Sequence, residues 1–171
     1  MKMTDLFLAQ LDREALVTRL ALERVPEGHR DWKPHPKSMP LGYLSELVAK
    51  LPSWIALTIE KDELDLEPKD GKSNVDTRQL NSGRELVRAL NESVDKARQA
   101  LMNTTDEHLK TTWRLLVAGD VVNETPRHVV ISDAVFGHLA HHRGQLTVYL
   151  RLNEVPVPAI YGPSADDKRF A

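Results

Sequence analysis

The stretch HLAHHRGQL, His138 to Leu146, decides how the chain is read, because three of its seven histidines fall within five residues. On a helix turning ~100° per residue, Ile131, Val135, His138, His142, Leu146 and Tyr149 fall within a sector of roughly 80°. His138 and His142 therefore continue an apolar stripe and face inward, whereas His141 is rotated ~100° away, to its border or beyond. Imidazoles at i and i+4 stand one above the other and can hold one metal ion. They can equally be neutral core residues, hydrogen-bonded to backbone or to partners such as Tyr43 and Tyr149, and spacing alone does not separate the two. No HExxH is present, which excludes the zinc-protease arrangement, and there is no phosphate-binding glycine loop or nucleophile elbow.

Working outward, the helix carrying this stretch is predicted to open at Thr125-Pro126, N-cap then proline at the first helical position, and to run to about Asn153. Three further segments carry helical period. The first runs from Thr4, read as its N-cap, to Val25, where Pro26 and Gly28 stop it. The second runs from Leu41 to Lys61, with Leu41, Leu44, Leu47, Val48, Leu51 and Ile55 inward and a bend at Pro52. The third spans Ser82 to Met102, with Ser82 as N-cap and Glu85 three residues on, a capping-box pattern. KDELDLEPKDGKSNVDTRQLN, residues 61–81, is polar and reads as a surface loop. TWRLLVAGDVVNETP, residues 112–126, fits either a short strand pair around Gly119-Asp120 or an irregular excursion. The expectation is an all-α, single-domain four-helix bundle over residues 1–171, with a long connection between helices three and four.

The bulk chemistry narrows function by exclusion. A chain of 171 residues supports one sizeable core. With a formal net charge of -2 and interspersed charges there is no basic block, so no footprint for nucleic acid or an anionic membrane. Having no cysteine, it lacks disulfides, thiolate ligands and a cysteine nucleophile, which agrees with a cytoplasmic location. MKMTDLFLAQLDREAL breaks its apolar run with Asp12, Arg13 and Glu14, unlike a signal peptide. No stretch reaches the ~18 apolar residues of a membrane helix.

HLAHHRGQLTVYLRLNEVPVPAIYGPSADD, residues 138–167, resembles the last helix and tail of the DinB/YfiT-like superfamily. DWKPHPKSMPLGYLSELVAKLPSW, residues 31–54, is similar to that family's WxPHxKSMxLGxLxxHVAxLPxW segment. The resemblance implies a four-helix bundle, commonly dimeric, with a divalent metal, typically zinc or nickel, held by one histidine on helix two and two on the last helix. Members resemble thiol S-transferases, thiol-dependent isomerases or hydrolases, and many have no assigned reaction. Carried over, the last-helix ligands fall on His138 and His142, and the helix-two ligand falls on Leu47, which offers no lone pair. Lys50, where the motif is often acidic, adds a positive charge nearby. The resemblance thus implies a two-histidine metal site that binds weakly or not at all.

Candidates for a replacement ligand are poorly placed: Glu46 is rotated ~100° from position 47, His35 lies in a loop, and His128 is almost three turns before His138. Asp166 and Asp167 remain as tail residues that could fold over an open end. Arg143 would orient a carboxylate substrate or pair with an acid such as Glu46, or else brace neighbouring helices. Gly144 is expected to admit a close neighbour, since glycine costs ~1 kcal/mol in a helix interior. Trp32, Trp54 and Trp113 read as core or interface anchors, and Tyr161 as the residue pinning the tail. Two functions compete: a non-catalytic dimeric module or small-molecule (or thiol) binder with a pocket of Leu44, Leu47 and Arg143 beside the histidines, and a divalent-metal-dependent enzyme.

Overall fold

A computed structural model describes residues 2–69 and 79–169; the middle of the expected loop at 61–81 lies outside them. Its helices are α1 (Met3–Leu22), α2 (Leu41–Lys50), α3 (Trp54–Glu60), α4 (Gly83–Met102), α5 (Asp106–Leu109), α6 (Arg127–Val130) and α7 (His138–Leu152). A 3-10 turn, Leu51–Ser53, joins α2 to α3, and a seven-residue π-helical segment, Ile131–Gly137, joins α6 to α7. The bend expected at Pro52 is this 3-10 turn: proline has no N–H to give to an α ladder.

Helix α4 starts as its sequence predicts, with the Ser82 hydroxyl accepting from Glu85 N at 3.2 Å and the Glu85 carboxylate accepting from Asn81 N at 2.7 Å. Helix α1 does not. It begins at Met3, one residue before the expected cap at Thr4, and its N-terminus is capped from a distance by Asp106. The Asp106 carboxylate accepts from Met3 N at 2.9 Å and Thr4 N at 3.2 Å.

The all-α expectation is corrected by a three-stranded sheet, which makes the chain mixed α/β. Strands β1 (Glu63–Asp65), β2 (Thr112–Val117) and β3 (Asp120–Pro126) lie in that order, β1 parallel to β2 and β2 antiparallel to β3. The hairpin turns on Ala118 (φ 53) and Gly119 (φ 88), one residue earlier than Gly119-Asp120. Both central residues are left-handed, as a two-residue hairpin turn requires. Asp65 at the end of β1 accepts from Gly119 N at 2.8 Å, so the first strand clamps the turn of the other two. Strand β3 absorbs Thr125 and Pro126, and the following helix starts only at Arg127.

The sheet is fastened to the helices by Arg127, 2% exposed. Its guanidinium donates to Thr111 Oγ1 and Thr112 O, both at 2.7 Å, to Lys61 O at 3.2 Å, and to Asp62 Oδ1 at 2.5 Å. A buried arginine needs such partners, because an unpaired buried charge costs several kcal/mol. The core itself lies among α1, α2, α3, α4 and the π-to-α7 rod, where Leu11, Leu22, Leu44, Leu51, Ile55, Ile131 and Leu146 are fully buried. Each such side chain contributes about 1.5–3 kcal/mol of transfer free energy.

Candidate functional site

The π segment ends where the histidines begin. His138 N donates to Asp133 O, five residues back, rather than to Ala134 O, its α-helical acceptor. Burial first, and then the neighbouring His142, hold His138 below the ordinary imidazole value.

As the stripe requires, His142 is buried and His138 half-buried, while His141 is exposed. His142 Nε2 and His138 Nε2 are 2.7 Å apart, so one proton lies between them, one nitrogen donating and the other accepting. His142 Nδ1 is 2.7 Å from Gln145 Oε1. The Gln145 amide fits either tautomer, since turning it over presents a donor in place of the acceptor. Trp54 flanks the pair, its ring centroid 5.6 Å from that of His138. Gln145, which sequence reasoning passed over, is the third member of this group, and the i, i+3 spacing from His142 was the available signal.

The remaining candidates are dispersed. Leu44 is fully buried in the core and Leu47 half-buried against it. Arg143 points to α1: Nη1 lies 2.7 Å from Glu14 Oε2 and donates to Thr18 Oγ1 at 2.8 Å, and Nη2 donates to the Tyr161 hydroxyl. Tyr161 in turn donates to Glu14 Oε2 at 2.8 Å, pinning the tail as expected. Burial first, then this hydrogen bond to Glu14, raise the Tyr161 phenol above its ordinary value. Glu46 is not the partner of Arg143; it pairs with Arg30 at 2.5 Å and accepts from Leu80 N at 2.8 Å. His128 faces Leu109 O at 3.0 Å, and His35 Nδ1 accepts from Lys37 N at 3.1 Å. Asp166 is bound to Arg151 at 2.5 Å and Asp167 to Arg169 at 2.8 Å. Gly144 has open space where a Cβ would stand, so no close neighbour among the described residues accounts for it. Trp32 stacks edge-on against Tyr149, ring centroids 5.5 Å apart, and Trp113 is buried.

His138 and His142 are the two imidazoles that this stretch of α7 brings together. A catalytic zinc uses three protein ligands plus an open position, and among the described residues no three of His, Cys, Asp and Glu gather as a metal-binding group.

The DinB family profile matches residues 1–169, and the chain belongs to the DinB family. Among solved structures it is similar to a DinB-like protein from Bacillus cereus ATCC 10987, at 22% identity and TM-score 0.68, covering 91% of this chain and 95% of that one. It is also similar to the DinB-like protein YjoA from Bacillus subtilis, at 17% identity and TM-score 0.65, covering 95% and 99%. At these identities the likeness is one of fold. No curated protein matches the sequence. No described helix is long and apolar enough to cross a membrane.

Proposed function

We propose that this chain is a non-catalytic binding module of the DinB family, a cytoplasmic homodimer that takes a small molecule. In this reading the metal position has become a two-histidine site that holds zinc or nickel weakly or not at all. One observation carries it: the Nε2 atoms that would face a metal are 2.7 Å apart and satisfy each other. The position that resemblance assigns to a third ligand is Leu47, on a helix that packs along α7. Arg143 supports the non-catalytic part, because its donors are taken up by Glu14, Thr18 and Tyr161 rather than presented to a substrate.

The test is metal content by mass spectrometry on protein purified without a polyhistidine tag, followed by zinc and nickel titration. Substoichiometric metal, with tight binding restored in Leu47→His, supports the reading. Stoichiometric zinc or nickel in the unaltered chain overturns it. Sedimentation velocity tests the dimer separately, and a monomer at micromolar concentration defeats that part.

The second reading, a divalent-metal-dependent enzyme, draws on Gln145. A metal-bound imidazole usually gives its other nitrogen to an outer partner of this kind. The same titration separates the two.

A further inference from the structure

Helix α1 buries Phe7, Leu11, Ala21 and Leu22 on one side and carries a second apolar row on the other. Leu6, Ala9, Leu16 and Leu20, separated by steps of three, seven and four residues, fall within a sector of ~80° turned away from that core. Leu6 is 44% exposed and Leu16 57%, Ala9 is exposed and Leu20 half-buried. Apolar residues on two faces are the pattern of a helix covered on both. Met102 of α4, 68% exposed, stands one turn beyond Arg98, whose guanidinium bonds to Asp12 of α1. It widens the row along the seam between α1 and α4.

The charges beside the row point to what covers it. Asp5 lies in the first turn of α1 and Arg19 in the last, ~40° apart around the axis, on the flank where Arg19 donates to Asn91 of α4. Both are exposed, and no described residue forms an ion pair with either. A second copy laid antiparallel, about a two-fold axis crossing α1 near Asp12, sets Asp5 of each copy against Arg19 of the other. That register also sets Leu16 of each copy over Ala9 of the other, large against small. A parallel arrangement would oppose like charges. One register thus matches charge and size together, as the single self-complementary patch of a two-fold dimer must.

We propose, on the homodimer reading above, that the exposed face of α1 is the dimer interface, with the two helices antiparallel and Asp5 paired with Arg19 at both ends. Asp12 lies beside the axis, where Arg98 of its own chain neutralises it. Arg13 is the one charge at the row itself; its stem covers apolar surface while its head reaches water on the flank away from Asp5 and Arg19.

Sedimentation velocity at low ionic strength, where surface charges are least screened, tests this interface. Leu16→Glu, at a side chain exposed in the single chain, keeps the fold and is expected to give monomer. Asp5→Arg and Arg19→Asp each oppose like charges at both ends and weaken the dimer about tenfold. Mixed in equal amounts, these two charge variants recover the parent affinity, because each supplies the sign the other lacks. Val148→Glu, at an exposed position of α7, leaves the dimer unchanged. A monomeric parent defeats the homodimer reading and the interface with it. A dimer that persists in Leu16→Glu, a mixture no tighter than its components, or dissociation by Val148→Glu in place of Leu16→Glu overturns the α1 interface and leaves the homodimer reading standing.

Discussion

Arg143 Nη1 lies 2.7 Å from Glu14 Oε2, with the two side chains 1% and 10% exposed. The Tyr161 hydroxyl bonds to both, so α1, α7 and the tail meet at one buried charge pair. Removing one member of such a pair strands the other in low dielectric. Arg143→Met alone is expected to lose about 3–5 kcal/mol in urea unfolding, as is Glu14→Leu. The double variant loses far less than their sum, since both charges leave together. Tyr161→Phe keeps the pair and loses about 1 kcal/mol, the net worth of a hydrogen bond. Additive losses in the double variant would show that the pair is not coupled.

How much of this was legible depends on whether the partner was near in sequence. The inward stripe of the last helix and the Ser82 cap were readable, because periodicity and local chemistry encode them. Glu14 as partner of Arg143 was not, since 129 residues separate them and no pattern links the two. The π segment was hidden for a different reason: Ile131 and Val135 fit an apolar stripe in either kind of helix. Strand β1 is three residues long and pairs in parallel with a strand some fifty residues on, so alternation had no length over which to appear.

The hairpin was missed as a definite element for a reason that is itself testable. Its first turn residue is Ala118 at φ 53, where asparagine, aspartate or glycine is usual. An L-residue pays about 1–2 kcal/mol for the left-handed conformation unless its side chain offsets it. Ala118→Asn is expected to raise stability by about 1 kcal/mol, read as a higher urea midpoint with an unchanged slope. A fall in the midpoint would mean that Ala118 makes a contact worth more than its strain.

Two helical glycines should respond in opposite directions. A Cβ on Gly42 would stand 2.4 Å from Arg30 Cγ and 3.2 Å from Arg30 O. Gly42→Ala therefore displaces the side chain that pairs with Glu46 and donates to Leu80 O at 2.8 Å, at a cost of about 1–3 kcal/mol. Among the described residues nothing stands within 4 Å of a Cβ on Gly144, so Gly144→Ala gains about 0.5–1 kcal/mol from helix propensity. Thermal unfolding of the two variants side by side checks the signs. The close approach that sequence reasoning placed at Gly144 belongs at Gly42, and a destabilised Gly144→Ala would reverse that assignment.

Asp106 gives the fold a defined acid sensitivity. Its carboxylate caps α1, and the hydrogen bond from Met3 N is the main cause of a pKa below the ordinary 3.8. A carboxyl depressed on folding stabilises the native state fully above its unfolded value, and that contribution fades as pH falls through the folded one. Asp106→Asn keeps an acceptor for one N–H and abolishes the charge. The stability gap between parent and variant is therefore expected to be constant from neutral pH to about pH 5, then to narrow below about pH 4 as the parent's carboxylate protonates. Urea unfolding across that range measures it directly. A gap that stays constant down to the lowest pH would show that folding does not lower the Asp106 pKa.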